Sequence, residues 1–334
     1  MELIEFVEHW RLRGFPITRM CLMRKVCKLK PEFLQKSCAA RLMAISRFLM
    51  KNGLTHRVAT HKAQRAPGEV RAEALSHLEV QVPRTNDPSR HQDFVMNMDQ
   101  TPVYHSMEGN KTIHAVGAKT INLRTAANDG QCITVAVTLT ASGRRVPSMI
   151  VFKGELLCEL LFQNANINTH NFSAAIIRTI IYRPKGGGDR TVYKVQPKAW
   201  FSEEIMLEWV QEVLVPYIAT PPPGIVPLLY LDSFKVHMMG SVVSAIQALG
   251  VEVEFVPPGC TGLVQPVDVG YNKALKAKVM DQYNTWLMAQ DPDKPIQNTT
   301  RRDVVGWVLA AEDNISLATR RTPGPTTRYA YNSD

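Results

Sequence analysis

The chain has 334 residues, 45% of them hydrophobic and 21% charged, which is material for one large core or two ordinary ones. No apolar run reaches the ~18 residues of a membrane span. The start, Met1-Glu2-Leu3-Ile4-Glu5, lacks the basic opening of a secretory signal, so no membrane role is expected. The net charge of +9 is uneven: residues 1–90 hold 17 Lys+Arg against 8 Asp+Glu, whereas 91–334 hold 22 of each. A polyanion-binding module ahead of an electrically balanced domain is expected, with a solvated basic surface as the alternative. The six cysteines form no Cys-x-x-Cys pair and read as reduced thiols rather than a zinc site.

Three helices are predicted at the N-terminus. Residues 2–13 put Leu3, Phe6, Val7 and Trp10 on one face, and Gly14-Phe15-Pro16 breaks the pattern. The second helix spans 17–29, with Met20, Met23 and Cys27 as its apolar positions, and ends at Pro31. The third spans 33–51, with Leu42, Ile45, Phe48 and Leu49 as a stripe and Asn52-Gly53 as its stop. With a basic tally, such a trio reads as a helix-turn-helix unit. A basic, aperiodic stretch from His56 to Pro67 suits phosphate contact. Residues 68–82 are expected to form a connecting helix and Pro83 to Arg90 a hinge.

From Asp93 the pattern turns to strands. They are expected at Phe94 to Asp99, Lys119 to Arg124 and Cys132 to Thr140, with Pro147 to Phe152 continuing the sheet. Residues 154–198 read as irregular. A helix follows from Trp200 to Ile218, a strand from Val226 to Leu231, and a helix from Ser241 to Leu249. A strand from Val251 to Val256 leaves Glu252 and Glu254 on its other face. The last long helix begins near Asp268.

That element order is the order of an RNase H-like fold, a mixed sheet flanked by helices. Its first and fourth strands are adjacent at the centre, so Asp99 and Asp232 at their ends would lie side by side, with Asp268 leaning over them. Three converging carboxylates repel unless a cation lies between them, and hard oxygen ligands suit Mg²⁺ or Mn²⁺. Two such ions can drive in-line phosphoryl transfer. Taken singly, each acid has a plainer reading as a turn residue, and Asp268 as a helix N-cap.

The words around these acids are Asn97-Met98-Asp99-Gln100-Thr101-Pro102, Leu231-Asp232-Ser233-Phe234-Lys235-Val236-His237 and Val256-Pro257-Pro258-Gly259-Cys260 through Gln265-Pro266-Val267-Asp268-Val269-Gly270. Together they resemble the DDE endonuclease domain of pogo/Tigger-type transposases, as do Lys198-Ala199-Trp200-Phe201 and Trp209 ahead of the second acid. Phe48 to Leu54, with Arg57 and Thr60, resembles the centromere protein B-type helix-turn-helix domain. The usual Gly-Trp before that phenylalanine is absent, and the family's first DNA-binding unit has no counterpart after Met1.

The resemblance implies a metal-binding catalytic triad of Asp99, Asp232 and Asp268. It gives His237 and Gln265 auxiliary places, His237 orienting an acid or contacting phosphate and Gln265 shaping the loop before Asp268. DNA contacts are expected from Arg41, Arg47, Lys51, Arg57, Thr60, His61, Lys62 and Arg65. The implied partners are transposon ends or derived DNA sites and a second copy of the chain, in the nucleus. The expected organisation is a helix-turn-helix domain over 1–66, a linker over 67–92, the mixed α/β RNase H-like domain over 93–310 and an irregular tail over 311–334. Two functions fit: a metal-dependent endonuclease and strand transferase, or a catalytically silent, domesticated or decayed nucleic-acid-binding protein.

Overall fold

The computed structural model describes residues 3–13, 15, 17–55, 65–107, 126–128, 130–154, 191–197, 200–219, 222, 224–291 and 293–321. The chain divides into two compact units, Met1–Ser76 and His77–Asp334.

In the first unit, α1 (Leu3–Leu12), α2 (Arg19–Leu29) and α3 (Cys38–Lys51) surround a small core of Val7, Leu22 and Ile45. Phe6, Val26, Phe48, Leu49 and Leu54 pack against it. The Thr18 hydroxyl caps α2 by accepting from the Cys21 amide at 3.3 Å, so α2 starts two residues later than expected. Its buried face carries Leu22 and Met23, while Met20 is 51% exposed, which corrects the expected face. The expected 33–51 helix is also divided. Pro31–Gln35 forms a 3-10 turn, and Ser37 starts α3 afresh by accepting from the Ala40 amide. At the end of α3, Gly53 takes a φ of 65°, and the Leu54 amide donates to the Leu49 carbonyl at 2.8 Å, folding Leu54 back onto the core.

The second unit opens with residues 77–85 of helix α4 (Pro67–Thr85). The expected hinge from Pro83 is not one at its start, because the helix runs through Pro83 and its end is docked. Arg84 pairs with Glu254 and, at 3.0 Å, with Glu252; Arg90 reaches Glu252 at 2.6 Å. The Gln81 amide donates to Glu254 at 3.1 Å, and the Thr85 and Tyr230 hydroxyls share a buried hydrogen bond of 2.8 Å. Glu252 and Glu254 are the carboxylates left on the outer face of the last strand, and this basic segment is what covers them.

Among the described residues the sheet has six strands: β1 (Val95–Tyr104), β2 (Cys132–Thr140), β3 (Ser148–Lys153), β4 (Thr191–Gln196), β5 (Leu228–Asp232) and β6 (Glu252–Val256). Their order is β4-β3-β2-β1-β5-β6. The β1–β2 and β2–β3 pairs are antiparallel; β3–β4, β1–β5 and β5–β6 are parallel. The strand expected over 119–124 lies outside the described residues. Strand β4 falls in the stretch read as irregular, so Asp232 ends the fifth strand rather than the fourth.

Two cores cover the two faces. On one, α5 packs against Met96, Met98, Met149, Leu229 and Leu231; it comprises Glu203–Trp209, a π-helical turn Val210–Leu214 and Val215–Ile218. It buries Trp209, Val213 and Leu214 completely. Helix α6 (Gly240–Gln247) adds Val242 and Ile246 to the same core. The short helix α7 (Thr261–Val264) follows β6. On the other face, α8 packs against Val103, Val135, Val137, Ile150 and Phe152; it joins a π turn, Val267–Tyr271, to Asn272–Met288. Helix α9 (Arg301–Asp313) buries Val304, Val305, Val308 and Ala311 there.

The tail expected over 311–334 is thus helical at its start and continues into α10 (Leu317–Arg320). Arg145 pairs with Asp313, and the Arg321 guanidinium donates to the Ser142 carbonyl at 2.8 Å. Gly143 lies so close to Leu317 and Arg321 that a β-carbon there would meet both within 2.8 Å. Ala311 is buried in the α8 core, so the start of this stretch is packed rather than irregular.

His105, just past β1, knots the sheet to the segment before α9. The Thr299 hydroxyl donates to the His105 carbonyl at 3.0 Å, and the Asn128 amide donates to the Thr299 carbonyl at 2.8 Å. Burial pushes the His105 imidazole below its usual range. The unfolded chain therefore binds a proton that the folded one resists, so the contribution of His105 to stability falls as pH drops below about 6.5 and is flat above it. Relative to wild type, His105→Gln is expected to gain melting temperature as pH falls from 7 to 5; a difference between the two proteins that stays constant over that range would contradict the assignment.

Candidate functional site

Strand alternation decides which side each acid faces. Met96 and Met98 point into the α5 core, so Asn97, Asp99 and Val103 take the α8 face. Leu229 and Leu231 likewise leave Leu228, Tyr230 and Asp232 on that face. The parallel pairing runs from Val95 opposite Leu228 to Asn97 opposite Tyr230, and continuing it by two residues sets Asp99 opposite Asp232. Asp99 does not end its strand, as was expected. It lies mid-strand, because β2 pairs with β1 through Tyr104 whereas β5 stops at Asp232.

Asp268 arrives on the π turn of α8, an irregularity common at functional positions. Asn97 sets its height: its side-chain carbonyl accepts from the Val267 amide at 3.0 Å, and its amide donates to the Tyr230 carbonyl at 3.1 Å. Asn272, one turn after Asp268 and 8% exposed, donates to Asp99 at 3.2 Å and to Asp268 at 3.0 Å.

Asp99 is 7% exposed. Its carboxyl is pushed up to about 8, first by burial, then by the charge of Asp268 and the hydrogen bond they share, then by Asp232. Asp99 thus holds its proton beside like charges. Asp232 instead pairs with Nδ1 of His237, which is fully buried, and accepts from the Phe234 amide at 3.2 Å. Gln100 donates to Nε2 of His237 at 2.7 Å, which holds the ring in the tautomer that donates to Asp232.

Gln265, fully buried, donates weakly to the Met98 carbonyl at 3.4 Å. Among the described residues, its side-chain oxygen and that of Asn272 are buried without a hydrogen-bond partner. No three His, Cys, Asp or Glu side chains among the described residues stand in a ready coordinating arrangement. Asp99 and Asp268 instead accept from Asn272, and Asp232 pairs with His237.

The sequence words contained Asn97 and Gln100, and Asn272 lies two residues beyond the last of them, but reading acids alone passed over all three. Their signal was spacing: Asn97 two residues from Asp99 on a strand, and Asn272 four from Asp268 on a helix.

Of the expected DNA contacts, Arg47 and Lys51 are exposed on α3, whereas Arg41 is half-buried. Arg65 is held in an ion pair with Glu73. Arg57, Thr60, His61 and Lys62 lie outside the described residues.

With the extra edge strand β4 set aside, the strand order β3-β2-β1-β5-β6 and the in-register acids on β1 and β5 define an RNase H-like domain. The chain belongs to the DDE superfamily endonuclease family, whose profile matches residues 131–321 and so takes in Asp232 and Asp268. It is similar to "Pogo transposable element with KRAB domain" of Mus musculus, 23% identical over 93% of this chain and 48% of the relative. The Homo sapiens protein of that description is 22% identical over the same shares. The chain therefore spans about half the length of the curated relatives it matches. Among solved structures, it resembles the Mos1 transposase paired-end complex with left transposon end, at 11% identity and a TM-score of 0.49, over 98% of this chain and 80% of that one. It also resembles the mariner Mos1 paired end complex with Mg, at 11% identity and a TM-score of 0.46, over 91% and 80%. No helix among the described residues is long and apolar enough to cross a membrane.

Proposed function

We propose that the chain is the DNA-cleaving and strand-transferring core of a pogo/Tigger-type transposase, with Asp99, Asp232 and Asp268 as the ligands of Mg²⁺ or Mn²⁺. The observation that carries this reading is the meeting of acids from two adjacent parallel strands with a helix acid on one face, Asn272 bridging Asp99 and Asp268 and burial with the neighbouring charges pushing the Asp99 carboxyl up. The donor set fits a hard divalent cation: carboxylate oxygens, plus two buried amide oxygens without partners beside them. When bound, such cations activate a water or 3′-hydroxyl and stabilise the leaving oxygen of a phosphodiester.

The chain's own residues hold this site in place. His237, buttressed by Gln100, orients Asp232; Asn97 sets the height of α8; Asn272 spans the other two acids. The first unit, with Arg41, Arg47, Lys51, Arg57, Thr60, His61, Lys62 and Arg65, supplies a helix-turn-helix grip on DNA phosphates. In this reading the protein is nuclear and acts on paired DNA ends as a homodimer.

The test is nicking of a plasmid carrying the cognate terminal repeats in Mn²⁺ or Mg²⁺. Wild type is expected to nick, and Asp232→Ala to lose on the order of 10³-fold or more while still binding DNA. No nicking by wild type, with binding that weakens as salt rises, would replace the reading with DNA binding alone.

A further inference from the structure

The loop after Asp232 presents apolar surface where a carboxylate site calls for polar groups. Phe234 is 40% exposed and Met238 is 49% exposed. The Phe234 carbonyl accepts from the amides of His237, at 2.9 Å, and Met238, at 3.3 Å, so residues 234 and 238 lie one turn apart and face the same way.

The ring is not loosely placed. Its own amide is held by the Asp232 carboxylate at 3.2 Å, and its edge meets the His237 ring at 5.8 Å and 79°. The Ser233 hydroxyl anchors the loop to the Val256 carbonyl at 2.6 Å. Lys235, next to Phe234 in the chain, is exposed, with no ion pair among the described residues.

We infer that Phe234 and Met238 form a stacking subsite for the nucleobase next to the phosphodiester held at the carboxylates, with Lys235 on the neighbouring phosphate. The inference rests on the reading that these carboxylates act on nucleic acid. A phosphate at Asp232 places its flanking nucleoside one step away, and Phe234 is two residues from Asp232. Every base has a π-face, so a fixed aromatic ring tolerates any sequence, and a lone cation beside it matches the backbone charge. A protein partner would also cover apolar side chains, but an exposed lysine next to Phe234 in the chain, in a loop whose amide is held by the Asp232 carboxylate, favours a nucleotide.

The probe is a single-stranded oligonucleotide carrying 2-aminopurine, titrated with the full chain in Ca²⁺, a hard cation that can bridge carboxylates and phosphate, with the length of the oligonucleotide checked after each titration. Wild type is expected to quench the fluorophore. Phe234→Ala is expected to lose the quench and bind about 5- to 100-fold more weakly, as removal of one stacking ring does. Phe234→Trp should keep both, and Phe234→Leu should lose the quench. Lys235→Ala should weaken binding while lowering the dependence on salt by about 0.7 of a charge. Equal quenching by wild type and Phe234→Ala, or by wild type and Phe234→Leu, overturns the inference. So does an effect of Phe234→Ala on self-association alone, which would mark a protein contact. Plasmid nicking is scored separately on the same preparations. Nicking without dependence of the quench on Phe234 removes only the subsite, and a Phe234-dependent quench without nicking removes only the nuclease reading.

Discussion

Asp99→Asn is expected to abolish metal-dependent cleavage, by on the order of 10³-fold or more, while making the metal-free protein more stable near neutral pH. The two effects have one cause. Asp99 is buried beside Asp268 and within the field of Asp232, so its proton is held up to about 8, whereas in the unfolded chain it leaves near the ordinary carboxylate value. Between those limits the unfolded state binds fewer protons, so metal-free stability declines as pH rises from about 4 to about 8. Asparagine removes that penalty with little change of shape, and Asn272, whose oxygen has no partner, can turn to accept from the new amide. The melting temperature of Asp99→Asn should exceed that of wild type at pH 7.5 and match it at pH 4. Its rise with Mn²⁺ should disappear. A variant that melts below wild type at pH 7.5 would contradict the raised Asp99 carboxyl, and one that still cleaves would remove Asp99 from the triad.

Asn272→Asp is expected to have the opposite signature. The amide of Asn272 is the neutral donor that both Asp99 and Asp268 face, at 3.2 and 3.0 Å. Replacing it with a carboxylate adds a buried like charge and removes the donor at once. Leaving a buried charge uncompensated costs about 3–5 kcal/mol, which for a domain of this size lowers the melting temperature by on the order of 10 °C. A divalent cation should restore much of that loss, because the added carboxylate is also a hard ligand. Calorimetry with and without Mn²⁺ measures both quantities. Loss without rescue would place Asn272 in packing alone, and no loss would show that its two hydrogen bonds matter little.

The three acids and their neighbouring words were legible in the sequence, and so was the order of elements that carries them. What could not be read was how each acid is held. Asp99 looked like a strand end because the apolar run Phe94 to Met98 stops there. The strand continues because β2 pairs with Thr101 to Tyr104, a partner some thirty residues away in sequence. Strand β4 was hidden in a stretch with weak alternation, and its place rests on pairing with β3 along its whole length. The hinge at Pro83 to Arg90 carried a turn-like composition. Its docking depends on Glu252 and Glu254, which alternation identified as outward-facing without revealing what covers them.

By itself, then, the sequence determined the charge asymmetry, the helical first unit, the alternation that buries one side of each strand, and the residue types available for metal chemistry. These are local properties, set by periods of 3.6 and 2 and by capping residues. Only the tertiary structure decided that Asp99 faces Asp232 in register, that a π turn carries Asp268 over them, and that Asn272, Gln100 and His237 hold the three. Such relations depend on strand register and helix packing between segments as far as 173 residues apart, as between Asp99 and Asn272, and no local pattern encodes them.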